Sequence, residues 1–184
     1  MAKLVDWFNV MTYDLTGSTT SSVTGFESPL YPTPAQSTPA PPSHAVTIDG
    51  TVRYYEAAGV PAGEIVIGAP FYGHVFVGVH SGNAGLFEHY RILGADPSYG
   101  QIVAAGAPAG ERHWSSAAQE PWIYDGASHT FLNYDDPASM AAKAAYVVAH
   151  HLRGVMLWEI AMDDAEHSLL DALSGPVLSA ARSG

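Results

Sequence analysis

Three short apolar runs constrain this chain more than any other feature: Trp7 to Asp14, Glu64 to Gly73 and Gly154 to Ile160. Each is too short for an independent helix and is bounded by turn-forming residues, so each reads as a buried strand. Between the first two lies a helical pattern. Ile48, Val52 and Tyr55 recur at i, i+4 and i+7 within Ala45 to Ala58, and Gly59 suits the position just past a helix end. Strand, helix, strand is a βαβ unit, which implies parallel pairing and a right-handed crossover.

The remaining segments fit around these runs. Ser18 to Ser43 carries Pro29, Pro32, Pro34, Pro39, Pro41 and Pro42, too many for a helix. Its apolar islands, Phe26 and Leu30-Tyr31, suggest a loop that packs on a scaffold rather than a linker. From His74 to Asn133 short β-like runs (Val75-Phe76-Val77, Trp122-Ile123-Tyr124, Thr130-Phe131-Leu132) alternate with Gly, Pro and Asn. Tyr90 to Leu93 reads as helical or extended. This stretch is too long for a plain loop, so a small α+β insertion with antiparallel strands is expected. Asp136-Pro137 opens a helix with Met140, Ala144, Val147 and His151 on one face. Asp163-Asp164 caps a last helix through Leu169, Leu170 and Leu173, which Gly175-Pro176 is expected to stop.

Composition excludes several classes. With 47% hydrophobic residues the 184-residue chain can build a core. Its net charge of −11 and lack of a basic run argue against nucleic acid or an anionic membrane as partner. It has no cysteine, so neither disulfides nor thiolate zinc sites arise. No apolar run approaches the ~20 residues of a membrane span, and Met1-Ala2-Lys3 leads into the first apolar segment without a visible signal peptide. Among nine histidines there is no His-x-x-x-His spacing. No metal site and no cofactor are therefore expected. A Gly-rich phosphate loop and a Gly-x-Ser-x-Gly elbow are absent too.

Chemistry in a barrel enzyme gathers at the C-terminal ends of parallel strands, where Tyr13 and Asp14 stand. The plainer alternative is that Tyr13 packs and Asp14 caps the next segment.

Four motifs in this order resemble the C-terminal half of a glycoside hydrolase family 18 chitinase catalytic domain. Phe8 to Asp14 is similar to its sixth barrel strand with Met-x-Tyr-Asp. Gly59-Val60-Pro61 with Ile65 to Gly73 resembles the seventh strand and its approach. Tyr134-Asp135-Asp136 with Ser139 and Lys143 resembles the return to the barrel, and Gly154 to Glu159 the eighth strand. The resemblance implies an α/β fold: a partial (β/α)8 TIM barrel of three parallel strands, residues 1–73 and 134–184, carrying a small α+β chitinase insertion domain, residues 74–133.

The resemblance also implies function. The family cleaves β-1,4 bonds between N-acetylglucosamine units with retention, using the substrate's own acetamido oxygen as nucleophile. In such a site Tyr13 donates its hydroxyl to the acetamide and Asp14 binds the sugar near the cleavage point. Met11 lines the same pocket, and Trp158 is the floor on which a sugar stacks, where a core position is its plainer alternative; Tyr72 either borders the cleft or packs. Trp114, Trp122 and Tyr124 are candidates for a cleft wall or for the insertion's own core. The family's strand-four motif, Asp-x-x-Asp-x-Asp-x-Glu, supplies the general acid and does not occur in these residues. Glu159 alternates away from Trp158 and is a poor replacement. Expected partners are chitin or chito-oligosaccharides, and either a second copy of the chain burying the open barrel face or a missing N-terminal half. Secretion is expected by resemblance alone.

Overall fold

The computed structural model describes residues 4–16, 22–33, 47–105 and 112–183, with side chains to 179. Parts of the proline-rich stretch and residues Ala45 and Val46, expected to open the first helix, lie outside them.

The parallel sheet has three strands: β1 (Phe8–Val10), β2 (Ile65–Pro70) and β8 (Gly154–Trp158), with β2 in the centre. Both pairings are parallel, Phe8 opposite Ile65 and Pro70 opposite Trp158 among them. Every residue of β2 is buried, as befits a strand covered on both faces. The first and third runs depart from the expectation of buried strands. β1 and β8 are mostly half-buried, and Trp7, Met11 and Trp158 are exposed. The physical reason is position: among the described residues each is an edge that hydrogen-bonds to β2 alone.

Helix α1 (Ile48–Ala57) makes the crossover. The Thr47 hydroxyl accepts from Gly50 N and caps it, and Gly59 leaves it at φ 89°. Ile48 and Val52 pack with Ile65, Ile67 and Val147. Leu30 joins this cluster, and Phe26 is fully buried in another, so the described part of the proline-rich loop packs on a scaffold.

Beyond β2 lies a five-stranded antiparallel sheet. Its strands are β3 (Gly73–Val77), β4 (Ile92–Leu93), β5 (Arg112–Ser115), β6 (Glu120–Asp125) and β7 (Thr130–Tyr134), in spatial order β4-β3-β7-β6-β5. A short helix, α2 (Tyr99–Ala104), carries a Ser98–Gln101 capping box.

Asp136 caps α3 (Pro137–Ala149) by accepting from Ala138 N and Ser139 N. Met140, Ala144 and Val147 are buried as the periodicity requires, whereas His151 falls past the helix end at φ 53° and is exposed. The last helix, α4 (Ser168–Ser183), runs straight through Gly175 and Pro176 instead of stopping there. Leu169, Leu173 and Val177 continue one apolar stripe against Met140, Ala144 and Val155, and that burial outweighs the roughly 3 kcal/mol that an interior proline costs. The result is an α/β fold, a partial and unclosed (β/α)8 arrangement with an antiparallel insertion.

Candidate carbohydrate site at the end of the parallel sheet

Directly after β1 the chain is pinned to β2. The Thr12 hydroxyl donates to Gly68 O and accepts from Gly68 N, both at 2.9 Å. Ser28 Oγ donates to Thr12 O at 2.6 Å, tying the proline-rich loop to the same point. Tyr13 then lies across Gly68. A Cβ on that glycine would fall 2.6 Å from Tyr13 Cε1, so only glycine leaves room for the ring.

The following residue, Asp14, takes the left-handed conformation at φ 56°. Its N–H donates to Glu27 Oε1 at 2.9 Å. Its carboxylate faces outward and accepts from Tyr72 Oη at 2.6 Å. His74 Nε2 lies 3.0 Å from the same oxygen, Oδ1. The other ring nitrogen, Nδ1, is 2.7 Å from Asp96 Oδ1. Tyr13 and Tyr72 meet edge to face with ring centroids 6.3 Å apart. Both phenols are buried. Burial, then the charge of Asp14, raises the Tyr13 pKa; burial, then the bond to Asp14, pushes Tyr72 far above the ordinary tyrosine range. Both hydroxyls therefore stay protonated as donors at neutral pH.

Beneath this group runs a buried acidic chain. Glu27 is fully buried, and burial raises its pKa well above the ordinary carboxyl range. Its Oε2 is 3.3 Å from His74 Nε2 but makes no hydrogen bond. Glu120 Oε1 accepts from Glu27 N and Ser28 N at 2.9 and 2.8 Å. Burial and the charge of Asp135 raise the Glu120 pKa, while Lys143 and the two backbone donors oppose the rise. Asp135 itself is held by Lys143 Nζ and by Ser139 Oγ.

The structure thus brings Tyr13, Asp14 and Tyr72 together. Trp158 stands on β8 opposite Pro70, and its carbonyl accepts from Phe71 N at 2.7 Å, next to Tyr72 in sequence. Its side chain is 54% exposed, and Met11 is 70% exposed. Of the insertion aromatics, Trp122 and Tyr124 belong to a buried cluster with Phe26, Phe76 and Phe131, leaving Trp114 exposed. Glu159 is exposed. Asp163 and Asp164 act as caps, Asp163 accepting from Leu169 N and Leu170 N and Asp164 from Ser168 N.

Sequence reasoning missed Glu27, His74, Asp96 and Glu120. His74 directly follows the Phe71-Tyr72-Gly73 strand end, and Glu27 directly follows a buried apolar island. No linear spacing links these residues, so only the fold shows that Asp14, Glu27 and His74 place ligand-capable atoms within 4.8 Å of one another. The expectation of no metal site rested on linear motifs and did not address this cluster.

The chain is similar to known proteins in sequence and fold. Chitinase B of Serratia marcescens is 28% identical over 214 residues, covering 92% of this chain and 43% of that protein. Chitinase A1 of Niallia circulans is 31% identical over 181 residues, covering 89% of this chain and 25% of that protein. The structure of a glycoside hydrolase family 18 N-acetylglucosaminidase from Paenibacillus barengoltzii is similar with a TM-score of 0.83 at 32% identity, over 95% of this chain and 50% of that one. The chain therefore spans between a quarter and half the length of these relatives. Residues 1–163 match Glycosyl hydrolases family 18. The chain belongs to that family.

Proposed function

We propose that this chain binds chito-oligosaccharides at the end of its parallel sheet and, by itself, does not cleave them. One observation carries the reading: Tyr13, Asp14 and Tyr72 form a single hydrogen-bonded and edge-packed group, with exposed Trp158 on the neighbouring strand. An N-acetylated sugar offers C–H faces to an indole and hydroxyls to a carboxylate. Tyr13, kept protonated, is suited to donate to the acetamide, and Asp14, with its side chain half exposed, to accept sugar hydroxyls. Met11 borders the same end of β1.

Substrate-assisted cleavage also needs an acid for the leaving oxygen, and its loss typically removes ~10²–10⁴ in rate. The 184 residues hold no Asp-x-Asp-x-Glu. Glu27, although it favours its protonated form, is fully buried behind Asp14. The names of the relatives, chitinases and an N-acetylglucosaminidase, support chitin-type sugars as the ligand class.

A second part of the reading concerns partners. Both edges of the parallel sheet are open, and Leu4, Val5, Trp7 and Met11 are exposed beside β1. Such edges and apolar side chains favour pairing with a second copy, or with further barrel strands.

The test is a titration of chitohexaose into the purified chain followed by tryptophan fluorescence, with reducing-end release assayed on the same sample. Saturable binding without release is expected. Robust release, or no binding, contradicts the proposal.

A further inference from the structure

We infer that Asp14, Glu27 and His74 form a binding site for a first-row divalent cation of the zinc class. The site shares Asp14 and its donor Tyr72 with the proposed sugar site, but cation binding is read in the absence of sugar. It rests first on geometry. His74 Nε2 lies 3.0 Å from Asp14 Oδ1 and 3.3 Å from Glu27 Oε2. Metal–ligand bonds of about 2.0–2.1 Å set neighbouring ligand atoms about 3.3 Å apart around a tetrahedron. Both pairs that include His74 Nε2 stand near that spacing, and all three atoms lie within 4.8 Å of one another.

The second observation is the orphaned oxygen. Glu27 Oε2 is buried, has no hydrogen-bond partner, and points at His74 Nε2. A buried carboxyl oxygen that makes no hydrogen bond is costly, and a cation shared with His74 and Asp14 satisfies it. Asp14, Glu27 and Asp96 each place a carboxyl oxygen within 3.3 Å of this one imidazole.

Supporting contacts match what a metal-bound histidine requires. Nδ1–H of His74 donates to Asp96, which fixes the ring and aims Nε2 at the ion. Tyr72 donates to Asp14 and orients that ligand. The Asp14 side chain is half exposed, which gives an entry path from solvent and leaves a fourth position for water. One imidazole with two carboxylates suits zinc or manganese better than calcium, which prefers an all-oxygen set. In the bound state the Nε2 lone pair faces the ion while Nδ1 faces Asp96.

The test is calorimetric titration of Zn²⁺ into the chelator-treated full chain, with Co²⁺ absorption as an independent readout of nitrogen and oxygen ligation. About one equivalent bound per chain is expected, with a rise in melting temperature. Glu27→Gln and His74→Asn should each weaken binding at least about tenfold, while His151→Asn, an exposed histidine elsewhere, should leave it unchanged. Should a variant fail to fold by circular dichroism, the Co²⁺ spectrum of the unaltered chain decides alone. A ligand-field band with imidazole character supports the site, and the spectrum of free aqueous Co²⁺ overturns it. Zn²⁺ binding that persists in a folded Glu27→Gln or His74→Asn variant, or none by the unaltered chain, also overturns it.

Discussion

Gly68 and Tyr13 compete for one space: a Cβ on Gly68 would lie 2.6 Å from Tyr13 Cε1 and 3.0 Å from Val10 O. The ring that the sugar reading depends on is therefore seated by the absence of a side chain on the central strand. Thr12, whose hydroxyl bonds both polar backbone atoms of Gly68, prevents the two strands from sliding apart to relieve a larger residue.

Gly68→Ala is accordingly expected to displace the Tyr13 ring, lowering stability by about 1–3 kcal/mol. Chitohexaose affinity should fall by about tenfold, which is ~1.4 kcal/mol. Urea denaturation and calorimetry on the same preparation check both. Unchanged affinity in the folded variant would show that Tyr13 is not part of the sugar site.

Lys143 and Asp135 form an ion pair in which neither side chain reaches solvent. Removing one member leaves the other charge buried and uncompensated. Lys143→Met should therefore cost about 3–5 kcal/mol. Combining it with Asp135→Leu should recover most of that loss, because neither member of the pair is then left without its partner. A urea denaturation series over the two single variants and the double variant measures the coupling.

Alkaline pH gives a test of the tyrosines. Burial, with the charge of Asp164 behind it, pushes the Tyr99 pKa up to about 12, and burial raises Tyr72 and Tyr146 as well. These phenols hold their protons more tightly in the folded chain than in the unfolded one. Their contribution to stability is thus complete below the ordinary tyrosine pKa of about 10 and is lost as pH rises towards 12. Denaturant midpoints should fall across that window, and Tyr99→Phe should make the fall shallower. A midpoint independent of pH there would contradict the burial of these hydroxyls.

The open sheet edges predict self-association. Light scattering should show a concentration-dependent rise in mass at micromolar protein, and Trp7→Glu, placed beside the β1 edge, should reduce it. A monodisperse monomer would count against pairing between copies.

Features governed by local chemistry were legible in the sequence. Asp136-Pro137 opens a helix because a capping carboxylate and a proline at the first turn suffice to start one. The run Ile65 to Pro70 is a strand because continuous apolar residues suit a position covered on both faces. Features governed by neighbours were not. Phe8 to Val10 and Gly154 to Trp158 are equally apolar, yet they are edges, and no local signal separates an edge from a centre. Pro176 reads as a helix stop until the packing of Leu173 and Val177 on α3 is known. At the site, Tyr13, Asp14, Tyr72 and Trp158 came from a motif resemblance. Glu27 and His74 lie 13 and 60 positions from Asp14, and only tertiary structure brings them to it.

The most direct test of the sugar site is calorimetric titration of chitohexaose into three proteins: the unaltered chain, Trp158→Ala, and Tyr54→Ala, an exposed aromatic on α1. Saturable binding is expected for the first and third, and at least about tenfold weaker binding for Trp158→Ala, with little loss of stability because that indole is half exposed. Equal affinity in all three, or no binding by the unaltered chain, would contradict it.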